Sequence, residues 1–224
     1  MSRLPFIAFE GSEGCGKSTQ VQRLAAHLEQ AGIPYLVTRE PGGTPIGETI
    51  RELLQFAPHG AAMTPQTELL LFEASRSQLV REMIKPALER GLCVISDRFF
   101  DSTTVYQGAA RKLDAEMVAR LNSFVAGNSI PDLTLILDVD PVTARSRMKR
   151  TVRRPDRMEQ ESGEFYDQVR AGYRELAERE PNRIVLIDGV RPADEVEHEI
   201  WKLISTRFPR LAPKSKIESQ ESKT

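Results

Sequence analysis

The stretch "FEGSEGCGKSTQ", residues 9 to 20, decides the fold class of this chain. It contains the complete pattern G-x-x-x-x-G-K-[ST], between an apolar run and a segment with helical spacing. In that setting, successive backbone N–H groups and the positive end of a helix dipole face a β-phosphate. A chance glycine-rich turn gives no reason to place a lysine and a serine where the helix begins. The stretch therefore predicts a nucleotide-phosphate loop.

The residues of this loop have distinct expected roles. Lys17 is expected to reach the β- and γ-phosphates of ATP, and the Ser18 hydroxyl is expected to hold Mg²⁺. The predicted ATP-binding residues are Gly11, Ser12, Glu13, Gly14, Cys15, Gly16, Lys17, Ser18 and Thr19. The loop identifies a triphosphate but not a reaction. A GTPase switch is disfavoured because "LTLILDVDPVTAR", from residue 133, lacks the lysine of a guanine-specifying N/T-K-x-D motif.

The rest of the chain alternates strand-like and helix-like segments. Short, nearly continuous apolar runs predict buried strands at 5–10, 34–40, 92–97, 133–138 and 184–188. After the loop, apolar residues repeat at helical spacing until Gly32, which predicts a helix from Lys17. The pattern predicts an α/β fold, a P-loop three-layer sandwich whose five-stranded parallel sheet is covered by helices on both faces.

Several predicted strands end on an acidic residue, at the sheet edge where α/β folds bind ligands. Asp97 and Glu40 lie beside other motif residues and are expected to be functional. For Asp138 and Asp188, simple contact with solvent is the favoured interpretation.

Composition limits the domain count and the partners. With 224 residues, of which 40% are hydrophobic, the chain is expected to form a single domain over 1–207, followed by a disordered tail over 208–224. The net charge of −1 gives no global field for nucleic acid or a membrane surface, so neither is expected as a partner. Two cysteines and no apolar run of membrane-spanning length predict a cytoplasmic protein.

Five motifs in a fixed order now give a specific resemblance. They are "FEGSEGCGKST", "REPGGTP", "LLLFEASR", "DRFFDSTTVYQG" and "DRMEQES", and together they cover roughly residues 6 to 201. In these motifs the chain resembles thymidylate kinases, which are P-loop nucleoside monophosphate kinases. The resemblance implies transfer of the ATP γ-phosphoryl group to dTMP with Mg²⁺, in dTTP synthesis, by a homodimer.

The resemblance also implies roles around the acceptor. Arg51 and Arg98 would clamp the monophosphate, which suits the bidentate geometry of guanidinium groups. Asp97 would lie near the magnesium ion, Glu13 would contact the 3′-hydroxyl, and Tyr106 would exclude ribose. Phe72 would stack on thymine while Arg76, four residues later on the same helix face, donates to its O4. The full set of expected substrate-binding residues is Glu13, Glu40, Arg51, Phe72, Arg76, Arg98, Ser102, Thr103, Tyr106 and Gln107.

One loop position departs from part of the family. Some members carry a catalytic arginine where this chain has Gly14. A lid near 145–162 is rich in arginine and resembles the lid of members that lack the loop arginine. We expect Arg153 and Arg157 to supply the catalytic charge together with Lys17 and Arg98, and about half of the lid arginines to be solvated.

Two alternatives stay open at this point. The chain could be a kinase for another pyrimidine monophosphate or a deoxynucleoside. It could also be a nucleotide-sensing module without transfer activity, although such a module would be expected to have lost Lys17 or the lid arginines, and the sequence retains both.

Overall fold

The computed structural model describes residues 3–149 and 156–212. One sheet contains the strands β1 (Phe6–Glu10), β2 (Tyr35–Arg39), β3 (Cys93–Asp97), β4 (Leu133–Asp138) and β5 (Ile184–Asp188). Its strand order is β2-β3-β1-β4-β5, and every pairing is parallel. Both the predicted strands and the predicted fold class are confirmed.

Helices cover both faces of this sheet. They are α1 (Lys17–Gln30), α2 (Pro45–Phe56), α3 (Pro65–Leu79), α4 (Lys85–Glu89), α5 (Phe100–Thr103), α6 (Ala115–Ala126), α7 (Pro141–Lys149), α8 (Gly163–Arg179) and α9 (Ala193–Arg207). Wider π-turns join α3 to α4 through Val80–Ile84 and extend α5 through Thr104–Ala110. Short 3₁₀ turns lie at Gly60–Ala62, Met158–Gln160 and Pro209–Leu211.

The central strand β1 explains the layered core. Ile7 and Phe9 belong to a cluster that includes side chains of α1 and α9, whereas Phe6 packs on the opposite face with residues such as Leu79. Successive strand side chains point to opposite faces, so a strand covered on both sides is apolar throughout. All five β1 residues, including Glu10, are fully buried, which places a carboxylate at the inner end of the sheet.

The ends of the domain differ slightly from expectation. Leu211 is fully buried within its 3₁₀ turn, so the packed body extends past residue 208, where the tail was predicted to begin. The remainder of that predicted tail, 213–224, lies outside the described residues. Within the described ranges, no helix is long and apolar enough to cross a membrane.

Candidate active site

The phosphate loop connects β1 to α1 with its donors exposed to a ligand. Gly16 precedes the first turn of α1 with φ of 101° and provides no side-chain cap. The first N–H groups of a helix have no intrahelical acceptor, so an anion can receive them. The Lys17 Nζ donates to the carbonyls of Gly11 over 3.0 Å and Ser12 over 2.8 Å, which holds its charge over the loop.

A hydroxyl and a carboxylate meet beside Lys17. The Ser18 hydroxyl donates to Asp97 Oδ2 over 2.6 Å, and Asp97 is the register partner of Phe9, just before the loop. Oxygen donors of this kind are the ligands that Mg²⁺ prefers. The residues present therefore fit the magnesium ion that the sequence predicts.

A cavity of about 260 Å³ extends from this point. Its lining includes eight of the ten predicted substrate-binding residues: Glu13, Glu40, Arg51, Phe72, Arg98, Ser102, Tyr106 and Gln107. It also includes Gly14, Lys17 and Ser18 of the phosphate loop and the predicted metal ligand Asp97. Arg39, Leu54, Met158 and Asp156 also line it. Residues separated by more than a hundred positions in the sequence are brought together around a single space.

Arg98 lines this cavity and directly follows β3. Its backbone adopts the left-handed region with φ of 72°, which is uncommon for a residue with a side chain. Its Nη2 donates to Glu13 Oε1 over 2.8 Å, and the Tyr106 hydroxyl donates to Glu13 Oε2 over 2.8 Å. Burial alone would raise the pKa of Glu13, but Arg98 and Lys17 outweigh it and lower that pKa. Glu13 is therefore an anion held between cations.

Two further guanidinium groups lie along one wall. Arg39 and Arg51 both donate through Nη1 to the Pro41 carbonyl over 3.0 Å. Burial and then the neighbouring charge of Arg39 lower the pKa of Arg51. Like charges held this close favour the binding of an anion between them.

Arg76 does not line the cavity, which differs from the expectation that it faces the ligand. It is 1% exposed and lies behind the wall that contains Phe72. Each of its three side-chain nitrogens already donates to a protein acceptor: Glu40, Glu73, Asn122 or Thr103. The physical reason is the competition of two buried carboxylates for its charge. Its contact with a base stays a prediction, as does that of Thr103, which accepts from Arg76 instead.

The carboxylate Glu40 joins this wall to the cavity. It accepts from Arg76 Nε over 2.9 Å and is 6% exposed. Burial raises the pKa of Glu40 to about 7, although Arg76 lowers it. The negative charge of the Glu40 carboxylate therefore depends on the guanidinium of Arg76.

A second cavity, of about 490 Å³, lies on the other side of the phosphate loop. Cys15, Gly16 and Thr19 line it together with segments that follow β5, including Gly189 to Ala193. Arg147 of α7 also lines this cavity and donates to the carbonyl of Gly189 over 2.9 Å. The loop therefore borders two separate spaces, as transfer between two nucleotides requires.

Comparison with known proteins now identifies the family. The family model described as "Thymidylate kinase" matches residues 9–200. The chain belongs to the thymidylate kinase family. A thymidylate kinase of Deinococcus radiodurans is 46% identical over 207 residues, which cover 92% of this chain and 99% of that protein. A thymidylate kinase of Kosmotoga olearia is 47% identical over 197 residues, with 88% and 93% covered. The crystal structure of the thymidylate kinase from Ehrlichia chaffeensis matches with a TM-score of 0.73 at 35% identity, covering 91% of this chain and 99% of that one.

The surroundings of Gly14 restrict this position to glycine. Gly14 has φ of 75°, and a Cβ built on it would lie 2.5 Å from the Ala144 carbonyl oxygen of α7. A side chain at this position would collide with backbone in a conformation that already disfavours it. In this structure the loop therefore has no room for a side chain at residue 14.

The structure describes only one of the two lid arginines that were predicted to be catalytic. Arg153 lies outside the described residues. Arg157 is described, and it does not line the acceptor cavity: its Nε donates to the Leu54 carbonyl over 3.0 Å, and its Nη2 lies 2.5 Å from Glu68 Oε2. The buried carboxylate of Glu68 also accepts from Arg111 and Gln107. In this structure Arg157 joins the lid segment to α2 and α3.

Sequence reasoning missed four residues at or behind the two cavities. Arg39 directly precedes Glu40, which was expected to be functional, and Arg147 lies in the arginine-rich lid near 145–162. A local signal therefore existed for both. Glu10 was noticed only as a strand end. Tyr173 gave no signal, because α8 brings its hydroxyl to Glu10 from 163 residues away.

Proposed function

We propose that this chain transfers the γ-phosphoryl group of ATP to dTMP, with Mg²⁺, and so makes ADP and dTDP on the route to dTTP. The observation that carries the proposal is the shared cavity. Lys17, Ser18 and Asp97 line the same space as Phe72 and Gln107. A monophosphate nucleotide in this space has its phosphate beside the loop and its base against an aromatic ring.

The acceptor phosphate would lie among guanidinium groups. Arg51 and Arg98 bind its oxygens, while Arg39 contributes positive charge on the same wall. Arginine is suited to this task because its fork of N–H donors matches two phosphate oxygens. Fixed cations also offset the repulsion between the acceptor and ATP.

The remaining acceptor residues would read the sugar and the base. Phe72 stacks on the ring, Ser102, Tyr106 and Gln107 surround the nucleoside, and the Glu13 carboxylate accepts from the 3′-hydroxyl. Glu13 is held by Arg98 and by the Tyr106 hydroxyl, which supports a fixed position for that acceptor. Glu40 lines the cavity, whereas Arg76 and Thr103 would act from behind its wall.

ATP would occupy the loop and the second cavity. Residues 11 to 19 cradle its phosphates, and the cavity around Gly189 and Arg147 takes its adenosine. Ser18 and Asp97 would hold the magnesium ion, which neutralises charge on the transferring phosphoryl group. Lys17 follows the γ-phosphoryl group as charge develops in the transition state.

The lid arginines would complete the catalytic charge. We assign this role to Arg153 and Arg157 beside Lys17 and Arg98, because the loop has Gly14 where some family members carry an arginine. Arg157 would have to leave Glu68 to reach the phosphoryl group.

The experiment is an acceptor panel in a coupled assay of ADP release, with dTMP, dUMP, UMP, CMP and thymidine. The proposal predicts the highest kcat/KM for dTMP. Preference for another monophosphate or for thymidine would favour the alternative kinases, and nucleotide binding without ADP release would favour a sensing module.

We also propose a cytoplasmic homodimer. Both cysteines, Cys15 and Cys93, are free and buried, which suits a reducing compartment. Exposed apolar side chains lie on α3 and α6, which pack together: Leu70 is 57%, Met117 52% and Phe124 76% exposed. A second copy would cover such a patch. Light scattering tests this, and Phe124→Lys should shift a dimer towards the monomer.

A further inference from the structure

The Arg98 guanidinium donates hydrogen bonds to four oxygen atoms, two at each of its terminal nitrogens. Its Nη1 donates to the Ser102 hydroxyl over 3.1 Å and to the Tyr173 hydroxyl over 3.3 Å. Its Nη2 donates to Glu13 over 2.8 Å and to the Tyr106 hydroxyl over 3.2 Å. Tyr173 is the member of this set that does not line the cavity, and it is 2% exposed.

A buried carboxylate sets the direction of the hydroxyl bonds on the Nη1 side. Glu10 Oε2 accepts from the Ser102 hydroxyl over 2.6 Å and from the Tyr173 hydroxyl over 2.7 Å. Because an ionised carboxylate only accepts, both hydroxyls donate to Glu10 and turn their lone pairs towards Arg98. Burial raises the pKa of Glu10, while Arg98 and the two hydroxyl donors oppose that shift by stabilising the ionised form.

The same carboxylate ties the phosphate loop to the acceptor side. Glu10 directly precedes Gly11 of the loop, and its Oε1 accepts from the backbone N–H groups of Phe99 over 2.8 Å and Ser102 over 3.2 Å. Arg98 directly precedes Phe99, and its backbone N–H donates to the Phe9 carbonyl over 2.9 Å. These hydrogen bonds therefore fix the segment that carries the Arg98 guanidinium relative to the start of the phosphate loop.

We propose that Glu10 and Tyr173 are positioning residues for the acceptor phosphate, acting through Arg98. Together they hold the guanidinium in one orientation before the phosphate arrives, which removes part of the ordering cost of binding. The inference rests on the proposed function, since it takes Arg98 to bind the acceptor phosphate.

Tyr173→Phe is the direct test. It keeps the ring and its edge-to-face packing with Tyr106 and removes one oxygen that accepts from Arg98. We expect the Kd for dTMP to rise about fivefold or more, since an unpaired donor in a buried site is costly, while the KM for ATP stays within about twofold. Glu10→Gln should weaken dTMP binding further, because its amide must donate where the carboxylate accepted. This second variant does not depend on the Tyr173 ring.

Thr134→Val is a matched control. The Thr134 hydroxyl donates to Asp101 over 2.9 Å and accepts from Arg183 over 3.0 Å, which is the same arrangement of carboxylate, hydroxyl and guanidinium. Thr134 and Arg183 do not line the acceptor cavity. This variant should lower the melting temperature about as much as Tyr173→Phe but leave the Kd for dTMP within about twofold.

A double-mutant cycle separates positioning from a general structural effect. In an Arg98→Met background, Tyr173→Phe should change the Kd for dTMP by less than about twofold, because its effect passes through Arg98. An unchanged Kd in the single variant, or the same loss with and without Arg98, would overturn the inference. Failure of the proposed function is distinguishable, because wild-type protein would then neither bind dTMP nor phosphorylate it.

Discussion

Asp138 and Asp188 are register partners at the ends of β4 and β5, yet their surroundings differ. Asp138 is 16% exposed and accepts from Arg170 Nε over 2.7 Å and from Arg174 Nη2 over 2.6 Å. Asp188 is 59% exposed, and its ion pair with Arg191 is longer, at 3.6 Å. Simple contact with solvent, the interpretation favoured for both, is therefore wrong for Asp138, because α8 places two arginines over it.

Asp138→Asn should lower stability in a way that depends on pH. Burial raises the pKa of Asp138, but Arg170 and Arg174 outweigh it and lower that pKa. The stabilisation that the Asp138 carboxylate contributes is therefore present above the pKa of an aspartate in the unfolded chain, about 3.9. It is lost as the pH falls through the lower pKa of Asp138 in the folded protein. Urea denaturation should show a deficit of about 1 kcal/mol at neutral pH, shrinking in acid. Asp188→Asn is the control, and equal effects of the two variants would contradict this account.

Gly14→Ala should damage nucleotide binding more than Gly91→Ala. Both glycines have positive φ, 75° and 78°, but a Cβ at Gly91 would meet nothing within 4 Å, whereas one at Gly14 would meet the Ala144 carbonyl. The shared backbone cost is about 1 kcal/mol, and Gly14→Ala adds the collision with α7. We expect a raised KM for ATP in Gly14→Ala alone. Gly14→Arg should not raise turnover, and a gain would show that the loop tolerates an arginine.

Arg76→Met should destabilise the protein as well as weaken dTMP binding. The change leaves the buried carboxylates of Glu40 and Glu73 without their cation, which costs about 3 to 5 kcal/mol. Phe72→Ala is the comparison, since Phe72 is only partly buried and lines the cavity. It should lose dTMP affinity with a smaller change in unfolding free energy. Normal stability of Arg76→Met, with dTMP affinity alone reduced, would place Arg76 on the ligand.

Separate alanine variants of Arg153, Arg154 and Arg157 test the lid charge. At least one should lose turnover by about a hundredfold with dTMP affinity largely kept, because a transition-state arginine contributes little to ground-state binding. Arg157→Ala should also lower the melting temperature, since Glu68 loses a partner. Arg174→Ala removes an arginine that pairs with Asp138 and serves as the control. If all three lid variants stay within about threefold of wild type, Arg98 becomes the better candidate.

The sequence predicts this fold well because its signals are local. Buried parallel strands are apolar throughout, and the loop pattern fixes where β1 ends and α1 begins. The same holds for site residues at the end of a strand, such as Asp97 and Arg98, because the carboxyl ends of parallel strands meet at one edge.

Side-chain direction and distant partners were not predictable in this way. Helical spacing placed Phe72 and Arg76 on one face, but it could not reveal that Glu40 and Glu73 hold the guanidinium behind the wall. Nor could spacing show that Glu68 holds Arg157, or that Tyr173 reaches Glu10. Glu40, Glu68 and Glu10 are each far in the chain from the side chain they hold, and a single sequence carries no signal for such pairs.

The most direct measurement is ³¹P NMR of the wild-type protein and Lys17→Ala with ATP, Mg²⁺ and dTMP. In the wild type, resonances of dTDP and ADP should grow together without inorganic phosphate. Lys17→Ala, folded by circular dichroism, should be slower by orders of magnitude, since it lacks the cation that Gly11 and Ser12 hold over the loop. Release of inorganic phosphate without dTDP, or near-normal transfer by folded Lys17→Ala, would contradict the account.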